Sequence, residues 1–185
     1  MFASIIRAPI FWLVAFNTTL VLIVLGAVVA WLVVPEPPKY HRTTFFEFAL
    51  PDDWWCELEG TETVCMSYKE NRQAIIIFAA KLRNQQDTLK DYYRHLSTNK
   101  NLETPDGEHF TSVVNNISIR QIGLYNWVDA THFQSEIPNY YTRYLATNTA
   151  QLGILITFSY HKDNNSSSLA AFAESILALR IYQNN

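Results

Sequence analysis

Cysteine, glycine and clustered basic charge are scarce in this chain. Its 185 residues include two cysteines, five glycines and seven prolines. So few glycines and prolines exclude collagen-like and low-complexity chains, and an aromatic content of 14% argues against disorder. Setting Arg7 aside leaves 13 basic and 17 acidic residues beyond position 34, a net charge of −4. Binding to nucleic acid is not expected, because proteins that bind it present a basic surface.

Motifs of catalysis and metal binding are also lacking. The histidines lie 14 or more residues apart, and none belongs to an H-x-x-x-H, H-E-x-x-H or Cys/His zinc pattern. There is no G-x-S-x-G elbow, no C-x-x-C pair and no glycine-rich phosphate loop. We therefore predict no enzyme, no catalytic residue, no cofactor and no metal. The histidines are expected as single surface side chains.

A long charge-free run lies near the N-terminus. Residues 10–34 are 25 consecutive residues without a charge. As a helix rising about 1.5 Å per residue, the run reaches roughly 37 Å, more than the roughly 30 Å hydrocarbon core of a bilayer. Trp12 and Trp31 stand near its ends, where indole rings favour the interface. The run is predicted to be a transmembrane helix, with a cytoplasmic N-terminus at residues 1–9 and a Pro-rich linker at residues 35–42.

The alternative for this run is a cleaved signal peptide, since Val28-Val29-Ala30 meets the small-residue requirement for cleavage. The apolar core of a signal peptide is usually about 7–15 residues, so a run of 25 favours a retained anchor. Lys and Arg counts on the two sides leave the orientation ambiguous. The cysteines, considered below, indicate the side on which the domain lies.

Four residues of the run are candidates for contact with another helix: Asn17, Thr18, Gly26 and Ala30. Gly26 and Ala30 have the small-xxx-small spacing that lets two helices approach closely. An Asn17 amide facing lipid without a partner would cost on the order of 1–3 kcal/mol. The alternative is a chance small pair and a Thr18 hydroxyl bonded to its own helix. The predicted partner is an integral membrane protein complex.

Residues 43–185 show periods of both strands and helices. Strands are predicted at 43–50, 54–59, 62–68, 73–81, 113–122, 125–134, 140–147 and 152–160, with a short closing strand at 180–182. Helices are predicted at 86–97, with an apolar face of Leu89, Tyr92, Tyr93 and Leu96, and after a turn at 163–168. Residues 99–110 are predicted to be a loop. The fold class is α+β, a mostly antiparallel sheet with two helices packed on it.

Two segments carry a resemblance to a known family. Phe48-Ala49-Leu50-Pro51-Asp52-Asp53-Trp54 resembles the F-x-L-P-x-x-W opening of the PsbP-like families, which are named for an extrinsic photosystem II protein. The segment from Phe172 to Arg180 is similar to their last helix running into a short strand. The resemblance covers residues 43–183. It implies a sheet-and-helix sandwich that serves as a binding or assembly module beside membrane complexes, without a shared catalytic set.

The two cysteines are predicted to face each other across a hairpin. If Gly60-Thr61 form a two-residue type II′ turn, Glu59 pairs with Glu62 and Cys56 pairs with Cys65. The cysteines then form a non-hydrogen-bonded pair about 4.5 Å apart at Cα, the short edge of disulfide geometry. A disulfide implies an oxidising compartment, so the domain is predicted to be periplasmic. Two reduced core cysteines are the alternative.

The strand predicted at residues 140–147 begins with several tyrosines, a residue type that is frequent in protein interfaces. Alternation places Tyr140, Thr142 and Tyr144 on one face and Tyr141 and Arg143 on the other. Tyr with Arg is frequent in protein contacts, so Tyr140, Tyr141, Arg143 and Tyr144 are a candidate protein-binding surface. Tyrosines packed over the core are an equal alternative.

Two functions are compatible with these features. The first is a single-span accessory subunit of the bacterial inner membrane, anchored in the lipid bilayer and contacting a larger assembly, an envelope protein or another copy of itself. The second is a periplasmic ligand-binding or sensing domain, with a small molecule held between sheet and helices. Residues 1–7 are too few to signal unaided in the cytoplasm, which favours the first.

Overall fold

The computed structural model describes residues 7–33, 39–67, 74–85, 87–103, 107, 109–163 and 167–182. It contains two compact units, Met1–Pro37 and Pro38–Asn185, which are described separately. Residues 1–6 of the N-terminal segment predicted at 1–9 lie outside the described residues, as do the prolines of the predicted linker, whereas residues 7–9 belong to a helix.

The first unit is one helix, α1, from Arg7 to Val33, so residues 10–33 of the predicted span are helical. Its side chains are described from Phe16 to Val29, and its large apolar residues in that range are exposed. Across the described part of the chain, no helix has both the length and the apolar character needed to cross a membrane.

The second unit is a sandwich of two antiparallel sheets and two helices. Its elements are β1 (Lys39–Arg42), β2 (Phe46–Leu50), β3 (Trp54–Glu59), β4 (Glu62–Ser67), β5 (Ala74–Leu82), α2 (Leu89–Leu96), β6 (Lys100–Glu103), β7 (His109–Ile122), β8 (Tyr125–Phe133), β9 (Tyr140–Asn148), β10 (Leu152–His161), α3 (Ser167–Leu177) and β11 (Arg180–Ile181). The large sheet has the order β3-β4-β5-β10-β9-β8-β7-β6, and the small sheet has the order β1-β2-β11. The predicted α+β class is confirmed for this unit.

The main core lies between the large sheet and the layer formed by the small sheet and α3. Phe48 of β2 stacks on Phe78 of β5, with ring centroids 3.8 Å apart. Phe172 of α3 stacks on Phe158 of β10 at 4.6 Å. These four rings are at most 1% exposed, so they hold the two layers together by apolar burial.

Helix α2 covers part of the opposite face of the large sheet. Leu96 packs there on Val128, Ala130 and Ala146. The Thr88 hydroxyl caps the helix by accepting a hydrogen bond from the Asp91 backbone at 3.1 Å. Tyr93, predicted on the apolar face, is 38% exposed. With only eight residues, α2 cannot cover the whole face.

Two strands were not predicted. β6 lies within the expected loop at 99–110 and pairs with β7, whose start is four residues earlier than predicted. β1 lies within the expected linker and pairs with β2. Each is four residues long with little β-branched or aromatic content, so each forms because a stronger neighbouring strand offers an edge.

Candidate functional site

The predicted disulfide is present. Cys56 and Cys65 are bonded, with their Cα atoms 4.1 Å apart, and Glu59 pairs with Glu62 as expected. Gly60 has a φ of 62°, the positive value that the first central residue of a type II′ turn requires. The bond joins the edge strand β3 to β4, and the His41 ring lies 3.8 Å from Cys56 Sγ.

The tyrosine strand is β9, which lies between β8 and β10 in the large sheet. Arg143 forms a bidentate ion pair with Asp129, with both contacts at 2.8 Å, and its guanidinium lies over the Phe172 ring. Tyr144 is 6% exposed on the α2 side. Both therefore have partners inside the domain, because a central strand is covered on both faces. Tyr140 and Tyr141 keep partial exposure.

The candidate helix contacts lie in α1. Asn17 and Thr18 each already have an interaction partner. A Cβ atom added at Gly26 would meet no atom within 4 Å, so that side of the helix is open. The Ala30 side chain lies outside the described residues.

A cleft of about 580 Å³ lies between α2 and the large sheet. Small residues from three neighbouring strands make its floor: Ala79 of β5, Gly153 of β10 and Ala146 of β9. Leu155 lies among them and is 38% exposed, although its strand is central in the sheet. Leu96 and Leu102 line the wall. The size and the apolar lining are those of small-molecule sites.

One rim of this cleft is a polar chain that begins at the N-terminus of α2. The Asp87 carboxylate accepts from the Asn84 backbone at 2.8 Å and pairs with Lys81 Nζ at 2.8 Å, and these contacts lower the pKa of Asp87. Asp87 also accepts from the Tyr92 hydroxyl; burial and this carboxylate raise the pKa of Tyr92 to about 12. Tyr92 is thus a neutral donor held over Gly153.

At the other end of α2, His132 is a structural side chain and not the surface residue that the sequence suggested. It is 2% exposed; its Nε2 donates to the Leu96 carbonyl at 2.8 Å, and its Nδ1 accepts from the Ser112 hydroxyl at 3.1 Å. Burial lowers the pKa of His132. Ser112 is fully buried, so this Ser-His contact gives no accessible nucleophile.

The same end of the cleft carries the remaining polar groups. Tyr144 donates its hydroxyl to Glu136 and also contacts Ser135 Oγ. Burial is the main reason that the pKa of Tyr144 is raised. Lys100 Nζ lies 2.8 Å from His95 Nε2, and burial together with Lys100 lowers the pKa of His95.

Within the described ranges, no group of three or more His, Cys, Asp or Glu side chains could hold a metal ion. Lys100, Glu136 and Tyr92 were missed as site residues because they are far apart in sequence. Gly153 was the available signal, since a glycine inside a strand often marks a close approach by another group.

No family model matches the chain, and no curated protein matches it. Solved structures do match. The solution structure of cyanobacterial PsbP (CyanoP) from Synechocystis sp. PCC 6803 has a TM-score of 0.57 and 14% identity, over 81% of this chain and 95% of that chain. The domain has the PsbP-like fold. The likeness in fold confirms the architecture expected from the sequence.

Two other solved structures are similar. A crystal structure from Bacteroides thetaiotaomicron VPI-5482 has a TM-score of 0.58 and 16% identity over 80% of this chain. The chain described here spans about half the length of that protein. LpqN, described as involved in cell envelope biogenesis of Mycobacterium tuberculosis, has a TM-score of 0.40 and 11% identity, over 80% of this chain and 87% of its own.

Proposed function

We propose that this chain is an accessory subunit of a larger inner-membrane assembly, with the charge-free run of residues 10–34 as its membrane anchor and the PsbP-like domain as a periplasmic binding or assembly module. One combination carries the proposal: a 25-residue charge-free run precedes a domain whose two cysteines are bonded to each other. Disulfides persist in oxidising compartments, and such a run is long enough for a bilayer. Together they favour a domain tethered outside the cytoplasm.

Copurification tests the subunit role. The full chain, extracted in a mild non-ionic detergent, is expected to bring down a multispan protein in a fixed ratio. Gly26→Leu should reduce that ratio, because the side of α1 at Gly26 is open and a leucine would hold a second helix away. Leu25→Ile is the matched control, since Leu25 is exposed about 100° around the helix axis from Gly26 and the change keeps the side-chain volume.

Asn17→Leu probes the other side of α1, because nine residues of α-helix place Asn17 about 180° around the axis from Gly26. The Asn17 amide already has an interaction partner, and its several donor and acceptor sites allow a further hydrogen bond to a second helix. One hydrogen bond between helices is worth about 0.6–2 kcal/mol, so its loss should weaken partner retention by roughly threefold to thirtyfold. Leucine raises hydrophobicity, so poorer insertion would not explain a loss. A chain that purifies alone even after cross-linking, with both variants unchanged, would contradict the subunit role.

Reporter fusions test the location. Alkaline phosphatase at the C-terminus should be active and a fluorescent protein that folds only in the cytoplasm should be dark, because the domain is proposed to be periplasmic. The reverse pattern would contradict the periplasmic location while leaving the partner experiment valid.

A second candidate function is a ligand-binding or sensing domain. The observation that favours it is the cleft beside α2, which has an apolar floor and polar groups gathered at its ends. If it is correct, a variant that fills the floor should abolish binding of any ligand and leave copurification unchanged.

A further inference from the structure

The cleft has an accessible apolar floor that the domain does not cover. α2 packs over the half of the sheet formed by β7, β8 and β9, and the floor continues past it onto β10 and β5. Leu155 is exposed there between Ala146 and Ala79, its partners in the two neighbouring strands. A flat alkyl or aryl group on this floor would be removed from water on several sides.

The charged side chains that line the cleft differ in the partners that they have. Lys81 is paired with the Asp87 carboxylate, and Glu136 accepts the Tyr144 hydroxyl. Glu62 lies at the other end, exposed beside the β3–β4 turn. Lys100 is half-buried, and its contact within the described residues is the neutral His95 ring at 2.8 Å, with no carboxylate at ion-pair distance.

His95 uses one of the three N–H bonds of the Lys100 ammonium. Its Nε2 lies 2.8 Å from Lys100 Nζ and accepts that hydrogen bond. An anionic group at Lys100 would therefore meet a full positive charge and the other N–H bonds of the ammonium. Carboxylates form strong, short hydrogen bonds with such donors.

We propose that this cleft binds a small monocarboxylate with an apolar alkyl or aryl body: the carboxylate lies at Lys100, and the body lies on Leu155, Ala79 and Ala146. The inference rests on the second proposed function, a ligand-binding role, and names its ligand class. The volume of about 580 Å³ fits a molecule of this kind, since small-molecule sites span about 300–1,000 Å³.

Three probes of similar shape test the monocarboxylate proposal: phenylbutyrate, phenylbutyramide and phenylbutylamine. Their binding to the full chain in non-ionic detergent is measured by ligand-observed NMR. The acid is expected to bind at least tenfold more tightly than the amide, a difference of about 1.4 kcal/mol, and the amine more weakly still. Lys100→Gln should lower affinity for the acid to that for the amide. Lys90→Gln is the matched control, because Lys90 is exposed on α2 and does not line the cleft.

Ala79→Leu gives an independent readout by filling the floor, with the exposed Ala170→Leu on α3 as its control. It should abolish binding of both acid and amide. Equal binding of acid and amide, both lost in Ala79→Leu, would overturn the carboxylate assignment and leave the ligand-binding role standing. Binding of no probe, or binding unchanged in Ala79→Leu, would overturn both. Thermal unfolding of each variant verifies that it is folded.

Discussion

The hydroxyl of Tyr92 lies over the backbone of Gly153, 2.5 Å from where a Cβ atom at that position would be. A side chain at residue 153 would displace this hydroxyl from Asp87, to which it donates. The absence of a side chain at residue 153 thus lets α2 sit close to the centre of the sheet.

Gly153→Ala should lower the free energy of unfolding by about 1 kcal/mol, because Tyr92 must move and its hydrogen bond to Asp87 weakens. The same change in a Tyr92→Phe background should cost less, since the obstructing hydroxyl is gone. Urea unfolding of the four chains measures this coupling. Strictly additive effects would show that the two residues do not interact.

Loss of the Cys56–Cys65 bond should destabilise the domain by about 2 kcal/mol, at the lower end for disulfides because the closed loop is short. The measurement is urea unfolding of Cys56→Ser, of the double serine variant and of the reduced native chain, which should agree. Two alkylatable thiols in the native protein would refute both the bond and the main reason for a periplasmic domain.

Asp129→Asn should reduce stability by about 3 kcal/mol, because the bidentate partner Arg143 would keep its charge beside Phe172 without a carboxylate. Arg120→Met is the control. Arg120 also contacts Asp129, at 2.7 Å, but its side chain is 48% exposed, so at most about 1 kcal/mol is expected. If both variants lost the same free energy of unfolding, burial would not make the Arg143–Asp129 pair stronger than the Arg120–Asp129 pair.

The domain should lose stability as the pH falls below 6.5, the ordinary pKa of histidine. The pKa of His132 is lower in the folded domain, so the unfolded chain binds more protons at this residue. Its stability contribution is therefore complete above 6.5 and is lost as the pH falls through the folded pKa. His41 and His95 also have lowered pKa values and act in the same direction.

The check is Tm against pH for the wild type and for His132→Gln, whose amide can still donate to the Leu96 carbonyl. The variant should show a shallower acid slope. His109→Gln, at a side chain that is 79% exposed, is the control for the replacement of a histidine by glutamine. A His132→Gln slope equal to that of the wild type would assign the acid sensitivity to other groups.

Residues 38–185 should fold without α1, because the domain has its own core and its contacts form a separate unit. Expression of this fragment as a soluble protein with one cooperative urea transition would confirm it. Aggregation, or a gradual transition, would mean that the boundary at residues 35–38 is misplaced.

The cysteine register could be predicted because a two-residue turn leaves one pairing for the strands on either side. The strands β1 and β6 could not be predicted, because neither sequence has the apolar pattern of a strand. The cleft could not be predicted either. Ala79 and Ala146 share its floor only because β10 inserts between β5 and β9 and places Leu155 between them, and that order is not written in any short segment.

The place of β10 in the large sheet also sets an order of assembly. The chain makes β3, β4 and β5 as one meander and β6 to β9 as another, and β10 joins them by pairing with both. Ile77 of β5 pairs with Thr157 of β10, so the edge of β5 at its run of isoleucines stays open until 80 more residues have been synthesised. Such non-local pairing is slow, and an open apolar edge attracts other chains. A chain interrupted before Leu152 would therefore hold two half-sheets with facing, unjoined edges, and it should depend on a chaperone or be degraded.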